Sequence, residues 1–223
     1  MLDLKKQIDV FIITNGRSTF PYCKKSVDNQ KNVMFKTSII ENKEWIKAHL
    51  DIVGSCQSKF FLRVDDDMFL NPYAISFFGE CIKNQDDNIA LRGCKLWEPW
   101  SNKMCRGIKI YNLDIVKKVG FRIDLLGKID KPFAEDCEAR GYNIKYSGDV
   151  VAIHACGKIE EHLKYWEMRG ENKGIDFNKK REWATNLIKK CDLSLEQQYD
   201  LSGEFLLNLN KKNKTSFWDF INK

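Results

Sequence analysis

The sequence predicts an α/β fold with a mostly parallel central sheet, followed by an α-helical appendage. Three observations predict it. Short apolar runs rich in β-branched and aromatic residues stand at 8–14, 33–40 and 59–64, and segments with apolar residues at helical spacing lie between them. Strands separated by helices of roughly ten residues imply right-handed βαβ units, and hence parallel pairing. From residue 158 onward, apolar residues recur only at helical spacing, over 159–168, 183–188 and 193–209. These divide the chain into residues 1–157 and a helical extension, 158–223, packing on them.

Each element has a local reason. The first strand, IDVFIIT, ends in the turn signal Asn15-Gly16. A helix over 18–30 carries Pro21 near its start, where the missing N–H costs nothing. Residues 33–40 form the second strand, 45–52 a helix, and 59–64 the third strand. A helix over 72–83 again opens on proline, with MFL leading into it. The middle of the chain alternates strand candidates at 89–92, 109–111, 144–146 and 150–154 with loops and two short helices. In the tail, Gly170, Gly174 and Asp192 separate the helical stretches, and a last short turn spans 217–221.

Composition narrows the class of protein. Hydrophobic residues make up 43% and aromatics 12%, enough for a sizeable core, so wholesale disorder is excluded. A net charge of +6 suits an anionic ligand but is also ordinary for solubility. The eight cysteines include no CxxC pair, so neither a cysteine-built zinc site nor a thioredoxin-type motif is indicated. The opening MLDLKKQIDVFIIT is too short and too interrupted for a signal peptide or membrane anchor. The expectation is a soluble cytoplasmic protein with reduced thiols and no transmembrane segment.

In open parallel sheets ligands bind beyond the carboxyl ends of the strands. Here those ends are Asn15-Gly16-Arg17, Glu41-Asn42-Lys43 and Asp65-Asp66-Asp67, which should converge on one crevice. Three adjacent acids inside FFLRVDDDMFLNP repel one another, and burying them unpaired is costly. A hard divalent cation, Mg²⁺ or Mn²⁺, removes both problems and accepts carboxylate and phosphate oxygens together. The competing reading is a solvated turn before Pro72.

With these pieces in order, the chain resembles the GT-A-fold nucleotide-sugar glycosyltransferases, with several features similar to the family 2 pattern and the subfamily left open. Ile12 to Arg17 resembles that family's first strand and nucleotide-facing loop, and Ser26 to Gln30 its S-x-x-x-Q. Residues 59–72 resemble its strand, DxD acids and L-x-P. VDDDMF is also similar to the fringe and β-1,3-galactosyltransferase groups. Ala134-Glu135-Asp136 resembles the later xED motif, followed by Gly141-Tyr142, and His154 stands where many such enzymes place a late metal-ligand histidine. The likeness covers residues 8 to 157. Two departures stand out: the segment from Glu135 to Gly141 is short, and Ile40-Glu41-Asn42-Lys43 replaces the usual second-strand D-D-x-S.

The resemblance implies residue roles. Asp67 binds Mn²⁺ or Mg²⁺, Asp65 contacts ribose or a metal-bound water, Asp66 points away or supports a neighbour, and His154 completes the metal shell. Thr14, Asn15, Glu41 and Asn42 line the donor site. Asp136 or Glu135 acts as general base in an inverting displacement, with Asp130 a lesser candidate; the competing reading is acids favoured at a helix N-terminus. Arg17, Arg106 and Lys109 are candidate phosphate partners. Trp97 and Trp100 either form a platform for a sugar ring or pack a loop on the core. The expected donor is a nucleoside diphosphate sugar, with a UDP-sugar as first choice. The expected acceptor is a hydroxyl of a surface glycan, lipopolysaccharide or capsule.

Three other functions compete. A glucosyltransferase acting on hydroxylated bases in DNA fits the sequence pI of about 8.8, but the tail, with 13 Lys/Arg against 11 Asp/Glu, offers no basic face. A sugar nucleotidyltransferase would open with a Gly-rich phosphate loop, where this chain has only TNGRST. A non-catalytic binding protein would have little use for the DDD, ED and His154 together. Oligomeric state is left open.

Overall fold

The computed structural model describes residues 1–83, 86–123, 129–158, 160–161, 182, 185–186, 189 and 191–222. In chain order its elements are β1 (Leu2–Asp3), β2 (Ile8–Thr14), α1 (Phe20–Asp28), β3 (Val33–Met34), β4 (Lys36–Glu41), α2 (Trp45–Ser55) and β5 (Phe60–Asp65). There follow β6 (Met68–Leu70), α3 (Ala74–Lys83), β7 (Ile89–Glu98), β8 (Lys103–Asn112), α4 (Leu113–Val119), α5 (Asp130–Ala139) and β9 (Asn143–His154). The tail contributes α6 (Leu195–Asp200), α7 (Glu204–Asn213) and α8 (Ser216–Ile221). The expected helices at 159–168 and 183–188 lie almost wholly outside the described residues. No helix among the described residues is long and apolar enough to cross a membrane.

The main sheet has seven strands in the order β4-β2-β5-β8-β7-β9-β6, and β1 pairs β3 apart from it. The first three strands are parallel, as their connecting helices require. Farther along the sheet is mixed: β7 and β9 are parallel, but β5–β8, β8–β7 and β9–β6 are antiparallel. Both faces of the central strands are buried. In β2, Val10 and Ile12 join one core while Phe11 and Ile13 join the other; Leu62 and Phe61 divide the same way in β5. That double burial is why these strands read as unbroken apolar runs rather than alternating ones.

Several boundaries differ from expectation for identifiable reasons. The strand expected at 33–40 is split at Phe35, because its first part pairs with β1 and its second with β2. MFL does not begin a helix. Met68, Phe69 and Leu70 are all buried and form a strand against β9, so the helix starts only at Ala74. Gln30 closes that junction, donating to the Asn71 carbonyl (2.8 Å) and accepting from the Ile75 N–H (2.8 Å). The expected strands at 89–92 and 109–111 extend into a hairpin of two ten-residue strands whose turn carries Asn102 at φ 53°. The single helix expected over 193–209 breaks at Gly203, and its first half opens on a capping box from Ser194 and Gln197.

The C-terminal helices share the core of the first 157 residues, where Leu206 and Phe217 are fully buried. Side-chain amides and one carboxylate fasten them, Asn210 and Gln198 reaching to the backbone of β9 and its end, Asn71 and Asp149 reaching to the backbone of the tail. Asn210 accepts from the Val150 N–H (3.0 Å) and donates to the Val150 carbonyl (2.7 Å). Gln198 does the same for Cys156 (2.7 and 3.2 Å), and Asn71 donates to the Ser202 carbonyl (2.7 Å). Asp149 accepts from the N–H of Phe217 (2.6 Å). All eight cysteines are free thiols.

These clips carry a stability prediction. Asn210→Leu keeps the side chain's size but orphans two buried backbone groups of Val150, at about 1–3 kcal/mol each. A fall in the urea midpoint of corresponding size is expected, and an unchanged midpoint would show that the clip contributes nothing.

Candidate functional site

The ends of β2 and β5 are joined through one buried carboxylate. Asp66, 1% exposed, accepts from Thr14 Oγ1 (2.7 Å), the Asn15 N–H (3.2 Å) and Arg17 Nε (2.6 Å), and Arg17 Nη2 closes an ion pair with it. Gly16 makes the turn possible. Its φ of 75° is open to glycine, and its N–H returns to Thr14 Oγ1 (2.9 Å). Asp66 therefore builds the loop that the sequence offers to a nucleotide.

Asp67 sits at the next position with a different task. Its Oδ2 receives Arg17 Nη1 at 2.8 Å and lies 3.5 Å from His154 Nε2. The strand β6 makes this meeting possible, since Met68 pairs with His154 in register and the Ala155 N–H donates to the Asp67 carbonyl (2.6 Å). Burial opposes charge on Arg17, but Asp67 and Asp66 outweigh it and raise its pKa. Burial likewise opposes the charged imidazole of His154. Asp67 on one side, with Cys105 and Glu98 on the other, outweighs that cost and holds its pKa well above the ordinary value. A carboxylate oxygen and an imidazole nitrogen converging at strand ends are a donor pair that fits Mn²⁺ well and Mg²⁺ less well.

Asp65 faces the opposite side of the strand ends. Its Oδ1 lies 3.3 Å from Arg63 Nε, close enough for an ion pair but not aligned as a hydrogen bond, so both atoms lack a hydrogen-bond partner. Burial raises the pKa of Asp65, and Arg63 offsets this only in part. Arg63, 3% exposed, anchors a network that sequence reasoning missed. It donates to Asp130 through Nη1 (2.8 Å) and Nη2 (3.2 Å), meets His49 Nε2 (2.9 Å), and stacks on the Trp45 ring at 4.9 Å. Lys109 Nζ (2.8 Å) and the Tyr111 hydroxyl (2.6 Å) also donate to Asp130. Burial and the Arg63 charge push His49 down to about 3, so it is a neutral acceptor.

The other expected residues are distributed unevenly. Glu41 and Asn42 lie exposed at the end of β4, beside the loop, where the Asn42 N–H donates to the Thr14 carbonyl (2.9 Å). Trp97 packs on Phe205 of α7, ring centres 5.5 Å apart, whereas Trp100 meets the His154 imidazole edge to face at 5.0 Å. Lys109 is buried against Asp130, and Arg106 covers the Tyr146 ring at 4.5 Å. In α5, Glu135 is exposed and pairs with Lys131 (3.5 Å), and Asp136 is half-buried. The helix precedes β9, whose far end carries His154, so its N-terminus lies at the crevice. Asp136 stands about 9 Å farther down the helix than Asp130. The residue of α5 that the structure brings to the Arg63–Asp65 cluster is Asp130.

The network predicts a pH response. Burial opposes the ionised form of Asp130, but Arg63 and Lys109 outweigh it and hold its pKa well below the carboxylate range. The folded state therefore binds fewer protons than the unfolded one, whose aspartates titrate near about 3.9. The resulting stability is fully present above that pH and is lost as pH falls through the folded pKa. Asp130→Asn should lower stability at neutral pH by about 3–5 kcal/mol, because it leaves Arg63 undercompensated. It should also flatten the acid limb of a urea-midpoint profile; an acid limb as steep as in the unaltered chain would contradict this account.

No family model matches the sequence, and no curated protein matches it. Solved structures do. The mannosyltransferase PcManGT from Pyrobaculum calidifontis, in complex with GDP-Man and Mn²⁺, superposes with a TM-score of 0.56 at 11% identity, over 93% of this chain and 76% of that one. S. aureus TarS 1–349 gives 0.50 at 13% identity, over 82% and 71%. TarS 1–349 with UDP-GlcNAc gives 0.50 at 12%, over 92% and 73%. Likeness at such identity concerns architecture alone. The chain has the GT-A fold of the nucleotide-sugar glycosyltransferases.

Proposed function

We propose that this protein is a metal-dependent glycosyltransferase that moves one sugar from a nucleoside diphosphate sugar to an acceptor hydroxyl with inversion. The observation that carries the reading is the convergence of Asp67, His154 and Arg17 beside the Thr14–Arg17 loop, at the strand ends of a GT-A fold. That PcManGT was solved with GDP-Man and Mn²⁺, and TarS with UDP-GlcNAc, supports a nucleotide-sugar donor.

Asp67 and His154 would hold Mn²⁺ or Mg²⁺, and such an ion supplies charge neutralisation for the departing diphosphate. Arg17 adds a second positive charge, already positioned by Asp66, so little reorganisation is needed as negative charge develops. The ends of β2 and β4, with Thr14, Asn15, Glu41 and Asn42, face the nucleoside. Trp100, packed on His154, offers an apolar wall for the sugar or acceptor ring.

For the base we assign Asp130 ahead of Asp136 and Glu135, because α5 directs its first turn to the crevice. Its low proton affinity makes it a weak base. It is suited to orienting the acceptor hydroxyl and to taking the proton once the new C–O bond is largely formed. A glycan hydroxyl is the proposed acceptor, and a cytoplasmic location goes with it.

A panel of UDP- and GDP-sugars with Mn²⁺, scored by thermal shift and slow donor hydrolysis, tests this directly. Metal-dependent stabilisation by a nucleoside diphosphate is expected in the unaltered chain and should vanish in Asp67→Ala. No such stabilisation by any donor sinks the reading. Asp130→Asn, assayed below its unfolding temperature, should keep donor binding and lose transfer. The same pattern in Asp136→Ala instead would move the base to Asp136.

A further inference from the structure

Three side chains cluster on the side of His154 away from Asp67. Glu98 closes β7, Cys105 lies three positions into β8, and His154 closes β9. Strand register brings them together: Leu96 pairs with Cys105 and Trp97 with Ile153, so the next residues along β7 and β9 are Glu98 and His154. His154 Nδ1 lies 3.2 Å from Glu98 Oε1 and 3.9 Å from Cys105 Sγ, and the three candidate donor atoms all fall within 4.8 Å of one another.

These separations resemble the edges of a coordination tetrahedron. Zn–N of about 2.0–2.1 Å, Zn–O of about 2.0–2.2 Å and Zn–S of about 2.3 Å imply N···O edges near about 3.4 Å and N···S edges near about 3.6 Å. The observed 3.2 and 3.9 Å are within a few tenths of these. The surroundings are already arranged for it. Ser101 Oγ donates to Glu98 Oε2 (2.8 Å), which leaves Oε1 turned to the imidazole, and Trp100 covers the ring. Glu98 and His154 keep side-chain exposures of 20% and 29%, so the pocket has a way in. On the far nitrogen, Asp67 lies 3.5 Å from Nε2, an orienting carboxylate of the kind that metal-bound histidines commonly have.

We propose that Glu98, Cys105 and His154 Nδ1 form a thiolate-containing site for a borderline-soft divalent cation of the Zn²⁺ class, with the fourth position open to water. The site is distinct from the oxygen-rich crevice because it uses the other face of the imidazole. Metal on Nδ1 leaves Nε2 protonated toward Asp67, so a cation held jointly by Asp67 and His154 Nε2 is excluded. Zn²⁺ bound here therefore competes with Mn²⁺ bound there.

Co²⁺ is the probe, added to the full chain under a non-thiol reductant. One equivalent should give the near-ultraviolet thiolate-to-Co²⁺ charge-transfer band and the intense visible bands of tetrahedral coordination, and Zn²⁺ should bleach both. Cys105→Ser and Cys105→Ala, each checked for folding by circular dichroism, should lose the charge-transfer band. Glu98→Gln should weaken Co²⁺ affinity by at least about 10-fold. Asp67→Asn should keep the band while losing any Mn²⁺-dependent binding of nucleoside diphosphate, so failure here and failure of the proposed function are read separately. No band in the unaltered chain, a band that survives in both Cys105 variants, or a band lost in Asp67→Asn overturns the proposal.

Discussion

The buried carboxylate of Asp66 is the constraint on which the rest of the crevice depends. A charge at 1% exposure is tolerable only with its partners in place, and Thr14, the Asn15 N–H and Arg17 are those partners. They draw the loop after β2 onto the end of β5 and set the guanidinium of Arg17 beside Asp67. With the chain pinned at Asp66, Asp67 faces β9 and Asp65 faces Arg63. Three identical residues thus acquire three environments within one turn of chain.

The environments also separate the acids chemically. Burial leaves Asp65 reluctant to ionise, while the two cations around Asp130 keep it ionised far into acid. The difference comes from the number of positive groups within hydrogen-bonding range, not from depth alone. The core face behind β5 is accordingly not purely apolar. Arg63, His49, Tyr111 and Lys109 hold a fixed electrostatic frame behind the strand ends.

Much of this was legible in the sequence, though not all of it. The double-sided burial of β2 and β5 shows as unbroken apolar runs, Asn15-Gly16 marks the turn, and the acids mark the crevice. For Asp66 the motif left two readings, pointing away or supporting a neighbour, and the choice between them depends on the chain reversing into β6, where MFL fits a helix start and a buried strand equally well. Glu98, Cys105 and His154 meet only through the register of three strands far apart in sequence, which no local periodicity carries. That Asp130, rather than Glu135 or Asp136, is the acid of α5 that meets Arg63 and Lys109 was not legible either, since the motif shows which acids stand on a helix but not which end of it packs against β5 and β8. The amide clips of Gln198 and Asn210 are invisible because a polar residue inside a helix usually reads as surface, and Asn71, in the connection between β6 and α3, reads as an ordinary turn residue.

Those clips bear on the order in which the molecule is made. β9 ends in His154, yet the backbone of that strand is secured at Val150 and just past its end at Cys156 by residues some forty to sixty positions later. A ribosome delivers the three acids, the loop and the histidine well before it delivers Gln198 and Asn210. The nascent chain thus holds the acids, the loop and the histidine while the strand carrying the last of them still lacks these later partners.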